Sequence, residues 1–361
     1  MLHKTLFFST ILSGTLLGAV HANAQVVNYE KGDFKFTFGG QINYGVLYAD
    51  DGEESNSFFV DNDNSSTRAR AKISYDFGSF VIGGEAEYEF ELNSSAVINQ
   101  LNTSETASVS NERKFELFVQ GNFGKVSFGQ GDSASNGVSE ADLSGTSVVG
   151  YSGVADLGGG LLFRDGNGNL TGSRVGSFFS NLDGNSRIER IRYDTPEFGN
   201  FVVSASVGHD ENRDLAVRYN NTFGDIQLSS AVAYSGSNSR DRYHGSVSGL
   251  HKPSGFSATF AAGIEDQDVG DRDTNFAYLK VGYQTNSLLK YGKTAFSVDF
   301  YDGNDIGVVD DSSESFGFQV VQNFDKINTE VYLGYRQYSY DAPGASFQDV
   351  DAVLFGARYK F

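Results

Sequence analysis

From Phe34 to Tyr44 apolar and polar side chains alternate along the chain. Phe34, Phe36, Phe38, Ile42 and Tyr44 fall on one face, and Lys35, Thr37, Gln41 and Asn43 on the other. A period of two is the mark of a β-strand whose two faces meet different surroundings. Ile82–Leu92 repeats the pattern with Glu85, Glu87, Glu89 and Glu91 on one face, and Phe256–Glu265 follows it too. At the end of the chain Val353, Phe355, Ala357, Tyr359 and Phe361 alternate with Leu354, Gly356, Arg358 and Lys360. Beyond residue 24 no amphipathic helix of three turns or more is legible.

Strands of this kind fit a soluble sandwich or a membrane barrel. Length separates the two. Many of the segments run to about ten residues or more, and a tilted strand needs ~9–11 residues to cross a bilayer. Composition points the same way. The hydrophobic share is 39%, yet 14% of the residues are aromatic. A barrel whose apolar face meets lipid needs no large interior of Leu and Ile. Only helices and closed barrels cross a bilayer, because every backbone polar group must be paired there. With helices absent, an antiparallel transmembrane β-barrel is the expected fold. Counting segments from 33–48 to 349–361 gives about sixteen strands, with fourteen and eighteen as the alternatives. Sixteen strands enclose a water-filled channel.

The connections alternate as well. Short links carry Gly, Asn, Asp or Pro, as at 77–79, 122–124, 196–200, 223–224 and 253–255. Long polar links fall at 50–66, 93–111, 132–184, 267–272, 302–312 and 341–348. Short turns at one end and long loops at the other suit an outer-membrane barrel. Pro196, Pro253 and Pro343 all lie in connections, where a missing N–H costs no ladder bond.

Residues 1–24 read as a signal peptide. Lys4 precedes a mostly apolar stretch, and Ala22-Asn23-Ala24 supplies an A-x-A cleavage pattern. The remaining domain, 25–361, is then exported through the periplasm. The full chain carries 46 acidic and 27 basic side chains, a net charge of −19. The leader holds one Lys and no acid, so its removal leaves −20. That excess argues against nucleic acid as a partner, since phosphate contacts need Lys and Arg. With no Cys, the chain has no disulfide, thiolate metal site or Cys nucleophile.

Three stretches, in order, resemble the general porins of Gram-negative bacteria, and the resemblance spans residues 25–361. Arg192-Tyr193-Asp194-Thr195-Pro196-Glu197-Phe198-Gly199-Asn200-Phe201 is similar to that family's mid-chain strand and turn. Phe123-Gly124-Lys125-Val126-Ser127-Phe128-Gly129 resembles the turn and strand that lead into loop 3, and Gly356-Ala357-Arg358-Tyr359-Lys360-Phe361 resembles the last strand. The resemblance implies an outer-membrane homotrimer, surrounded by lipid, that passes small hydrophilic solutes and ions. It implies that the barrel-assembly machinery engages Phe361 and Tyr359. It also implies that loop 3, here 132–184, folds into the lumen and sets its acids against a basic wall. Two departures stand out: Gln130 occupies a position where an Arg often ends the fifth strand, and the loop lacks a Pro-Glu-Phe-Gly core.

Alternation supplies candidates for that wall. Ala69, Ala71, Ile73 and Tyr75 face lipid, so Arg68, Arg70 and Lys72 face the lumen. Ile191 and Tyr193 put Arg190 and Arg192 inward likewise. Opposite them the loop offers Asp132, Glu140 and Asp142. Opposed charges across a wet constriction create a transverse field and bias ions. The basic row has a second reading, as cross-strand ion pairs with the lumen acids Glu85, Glu87 and Glu89. The acid excess predicts modest cation selectivity.

No catalytic constellation is legible, so an enzyme is not expected. Among cofactors only Ca²⁺ has a candidate, at Asp165, Asn167 and Asn169, where oxygen ligands fall at alternate positions. That segment lacks the Gly and Glu of an EF-hand loop. Two functions remain: a passive diffusion channel, or a barrel serving mainly surface interaction or structure with an incidental pore. The long loop facing a basic wall favours the channel.

Overall fold

The computed structural model describes residues 25–104, 109–267 and 272–361. The leader 1–24 and parts of the 93–111 and 267–272 links lie outside the described residues. The chain opens with β1 (Gln25–Lys31), β2 (Phe34–Asp50), β3 (Ser55–Asp61) and β4 (Arg68–Asp76). There follow β5 (Phe80–Glu91), β6 (Val109–Gly121) and β7 (Gly124–Asp132). A small hairpin, β8 (Leu162–Arg164) and β9 (Leu170–Arg174), sits within the long connection. Next come β10 (Arg187–Asp194), β11 (Phe201–Gly208), β12 (Arg213–Phe223), β13 (Ile226–Gly236) and β14 (Arg240–His251). They continue as β15 (Phe256–Gln267), β16 (Asp273–Thr285), β17 (Thr294–Asn304), β18 (Ser312–Phe324) and β19 (Thr329–Ala342). A two-residue β20 (Ala345–Ser346) precedes β21 (Val350–Lys360).

These pieces form a closed, antiparallel wall of sixteen strands. β2 shows why the number is sixteen. Along one edge it pairs first with β1, over Phe34–Gly39, and then with β21, over Gln41–Asp50. Along the other it pairs with β4 and then with β3. β1 and β21 thus share one wall position, and β3 and β4 share another. β21 also pairs with β19, which closes the ring. A closed ring leaves no edge to be satisfied in lipid.

Alternation fixes which face is which. Ile42, Tyr44, Ile73, Tyr75, Ile191, Tyr193, Phe355 and Tyr359 are exposed on the outside. Gln41, Asn43, Glu87, Glu89, Arg190, Arg192, Arg358 and Lys360 are buried inside the ring. The short links are tight turns, as expected. At one of them Gly124 has φ +102°, and a Cβ there would strike the Asp194 carbonyl, so the turn needs glycine.

Two segments differ from the expectation. The 50–66 link is not one long loop but contains β3. Its Phe58-Phe59-Val60 run hides the alternation, because Phe58 and Val60 are buried inward while Phe59 is exposed outward. The interior also contains an apolar core, where only a wet lumen was expected. Val148, Val149, Val154, Leu157, Leu161, Phe163, Val175 and Phe179 of the long connection pack on inward residues of the wall. Those include Leu47, Tyr278, Tyr301, Tyr332, Tyr338 and Leu354. The connection has no strand period, so nothing in its spacing marks it as a filler of the barrel.

Candidate functional site: the lumen and its charged wall

The long connection binds the inner wall through successive polar contacts. The Ala141 and Leu143 N–H groups donate to Ser246 Oγ and Ser248 Oγ of β14, both at 2.9 Å. Thr146 meets Ser297 of β17 at 2.7 Å. Lys280 of β16 donates to Asp142 at 2.7 Å and to the Gly150 carbonyl at 2.6 Å. Arg336 and Asp299 form a second fully buried pair nearby, at 2.7 Å. An open space of about 1550 Å³ remains in the lumen beside the loop.

On the far side of that space, β4 and β5 pair so that Arg68 faces Glu89, Arg70 faces Glu87 and Lys72 faces Glu85. Both predicted rows therefore point inward and lie opposite each other. Arg70 Nε donates to Glu87 at 2.6 Å and lies 3.4 Å from Glu85. Lys72 sits 5.1 Å above the Phe118 ring, with Lys125 at 4.8 Å. Arg68 reaches Ser65 Oγ at 3.3 Å and, among the described residues, has no carboxylate within ion-pair distance.

The row is extended by Arg113, which the alternation does not predict. The β5–β6 register slips between Glu87 and Tyr88, passing from Lys114 to Glu112 and leaving Arg113 unpaired in the ladder. This bulge turns both Arg113 and Lys114 inward. Arg113 then bridges Glu87 at 2.8 Å and Glu89 at 3.0 Å.

Asp132 proves to be the last residue of β7 rather than a loop acid. It pairs with Lys114 at 2.5 Å and Arg187 at 3.1 Å. Arg190 contacts Glu116 and donates to the Gly129 carbonyl at 2.8 Å. Arg192 pairs with Asp194 at 2.8 Å and holds the Ser133 carbonyl at 2.8 Å. Arg218 of β12 donates to the carbonyls of Ala134 and Asn136 at 2.8 and 2.9 Å. Its place beside Ala216 on the inward face was legible in the alternation. Asp142 is neutralised by Lys280, so it does not face the Arg row as a free acid.

Besides the Lys280-paired Asp142, the loop acids that line the open space are Glu140, Asp156 and Asp183. Burial, reinforced by the Asp63 charge, pushes Asp156 up to about 8, although Tyr151 donates to it. Burial and the neighbouring Asp183 raise Glu140 well above the usual carboxylate range. In all, fourteen acidic and twelve basic residues line the space, so the chain's large negative charge is not concentrated there. Elsewhere in the loop, Asp165 Oδ1 accepts the N–H groups of Asn167 and Asn169, both at 2.9 Å, and closes the β8–β9 turn.

A closed sixteen-strand wall, apolar outside and charged around an open interior, defines an outer-membrane β-barrel channel. The sequence profile of the Gram-negative porins matches residues 9–343, and the chain belongs to that family. Solved structures share the fold at low identity. The anion-selective porin from Comamonas acidovorans is 18% identical, with a TM-score of 0.64, covering 91% of this chain and 100% of that one. The trimer form of in-vitro folded OmpT of Vibrio cholerae is 17% identical, with a TM-score of 0.58, covering 91% and 99%. The outer membrane channel DcaP of Acinetobacter baumannii is 12% identical, with a TM-score of 0.56, covering 92% and 99%. A search of curated proteins gave no match.

Proposed function

We propose that this porin is a passive diffusion channel for small hydrophilic solutes and ions. The observation that carries the reading is the open lumen space bounded on one side by a packed loop and on the other by the Arg row. The constriction has Arg68, Arg70, Arg190 and Arg192, joined by Arg113 and Arg218, on the wall side, while Lys72, over the Phe118 ring, lies outside that lining. Glu140, Asp156 and Asp183 supply the opposing acids. A transverse field between the two sets orients dipolar solutes and disfavours apolar ones.

The cation preference expected from net charge has no support in the lining. With fourteen acids against twelve bases, Asp156 at about 8 and Glu140 displaced upward by burial, the lumen carries little net charge near neutrality. The fold relative from Comamonas is described as anion-selective. The proposal is therefore weak selectivity near pH 7 whose sign follows pH. Conductance of the purified protein in a planar bilayer under a salt gradient tests this. Discrete steps with a reversal potential near zero at pH 7 are expected. Folded protein that never conducts would favour the surface-interaction alternative.

The working form is a homotrimer in the outer membrane, in keeping with the trimer form of the Vibrio relative. Phe361 bonds backbone to backbone with Gly40, and its ring lies 6.3 Å from those of Phe38 and Tyr359. We assign Phe361 and Tyr359 to the signal read by the assembly machinery. Deleting Phe361 should lower the amount of heat-modifiable barrel in the outer membrane, and unchanged assembly would remove this assignment.

A further inference from the structure

The wall position shared by β3 and β4 is interrupted between Asp61 and Arg68. A single 3-10 turn, Asp63–Ser65, fills the gap, and Asn62 caps it by accepting the Asn64 N–H at 3.1 Å. The turn carries Asp61 and Asp63 to the end of β5 that lies farthest from the Phe77–Phe80 turn. There Glu89 and Glu91 point into the lumen. One carboxylate oxygen from each of Asp63, Glu89 and Glu91 lies within 4.8 Å of the other two.

The donors nearby do not satisfy this cluster. Glu89 is served by Ser66 Oγ and by Arg113 Nη1 at 3.0 Å. Among the described residues Asp63 has Ser94 Oγ at 3.4 Å as its side-chain donor, and its carboxyl also meets that of Glu91. Asp61 is fully buried; its Oδ1 accepts the Thr67 N–H at 2.9 Å, while its Oδ2 has no hydrogen-bond partner among the described residues. Glu91 is 8% exposed, and among the described residues its Oε1 also has none. Arg113 is shared with Glu87 and so cannot balance the set alone. A buried carboxylate oxygen without a donor is costly, and here two of them adjoin one cage.

We propose that the cage binds one divalent cation, calcium being the proposed ion, through Asp63, Glu89 and Glu91, with the buried Asp61 carboxylate beside it. Hard cations take oxygen ligands, and calcium binds them at ~2.3–2.6 Å in flexible geometry. Magnesium demands a stricter octahedral shell and keeps several waters, which an all-carboxylate cage suits less well than calcium. The ion would tie the interrupted wall strand to β5. It would also steady the loop, because Ser95 Oγ, which accepts the Asp63 N–H at 3.1 Å, donates to the Asp156 carbonyl at 2.6 Å.

The test is equilibrium dialysis of radioactive calcium against chelator-stripped, folded full-length protein in detergent. One saturable ion per chain is expected, filled below about 1 mM calcium. Asp63→Asn combined with Glu91→Gln should weaken binding at least tenfold, with heat modifiability as the check on folding. If the pair does not fold, Glu91→Gln alone serves, since it keeps the shape. Asp165→Asn should leave binding unchanged. Absence of saturable binding would mean that the carboxylates share protons instead, and would overturn the proposal. Binding that survives the double variant, or that is lost on Asp165→Asn, would overturn it too. Channel conductance with and without calcium is read separately, so this site can fail while the porin reading stands.

Discussion

The two halves of the barrel interior solve the same problem in opposite ways. From β4 to β12 the wall keeps its charges wet and linked, Arg70 to Glu87, Arg113 to Glu87 and Glu89, Lys114 to Asp132. From β16 round to β2 it buries Tyr278, Tyr301, Tyr332 and Tyr338 against the apolar residues of the long loop. One half behaves as a channel lining and the other as the core of a globular domain. The charges in the dry half, Lys280–Asp142 and Arg336–Asp299, are paired and shielded from water. They act as latches, whereas in the other half Arg70, Lys114 and Asp132 stay partly exposed beside the open space.

The largest effect should come from breaking a latch. Lys280→Met leaves Asp142 buried without its partner, a loss of about 3–5 kcal/mol. The loop should become protease-sensitive and conductance steps larger and noisier. Adding Asp142→Leu should restore much of the loss, as thermal unfolding and step size would reveal. If the double variant is no better than the single one, the pair is not a latch.

Next in size is the wet side. Arg113→Ala removes a guanidinium from the lining and leaves the Glu87 and Glu89 carboxylates with less counter-charge. The cation-to-anion permeability ratio should rise about threefold, since charged clefts concentrate counter-ions. The unfolding midpoint should move far less than for Lys280→Met. Equal losses of stability would erase the distinction between the halves.

A smaller shift should follow pH alone. Asp156, at about 8 through burial and the Asp63 charge, is mostly neutral at pH 6 and ionised at pH 9. Glu140 is displaced in the same direction. Raising pH adds negative charge to the lumen, so the reversal potential should move toward cations between pH 6 and 9. Asp156→Asn should flatten much of that curve. A curve that moves the other way would exclude these acids as its source.

The smallest effect is expected at Lys72, which lies over Phe118 with its ammonium in water. Lys72→Met should cost about 0.5–1 kcal/mol and leave the conductance nearly unchanged.

The wet half was more legible in the sequence than the dry half. A period of two assigns Arg68, Arg70, Arg190 and Arg192 to the lumen without any coordinates, and the wall follows suit. Arg113 escaped because one extra residue in β6 resets the alternation, and a bulge has no local sequence marker here. The dry half escaped because its apolar residues sit in an aperiodic loop. Nothing in the spacing of Val149, Leu157 and Phe163 says that they meet Tyr338 or Leu354. The partners of Asp132 and Asp142 are hidden for the same reason, since long-range pairing to Lys114 and Lys280 leaves no local trace.

The double occupancy of one edge of β2 has a consequence in time. Gln41 pairs with Lys360, and the Gly40 N–H reaches the Phe361 carbonyl at 2.7 Å. The seam therefore joins segments near opposite ends of the chain, and bringing them together carries a large closure entropy. Until β21 arrives, β2 and β19 each present an open edge that any other strand could capture. Closure is thus the last step available to the wall, and every earlier intermediate is sticky. A barrel of this design sheds its two capture-prone edges only when that seam forms.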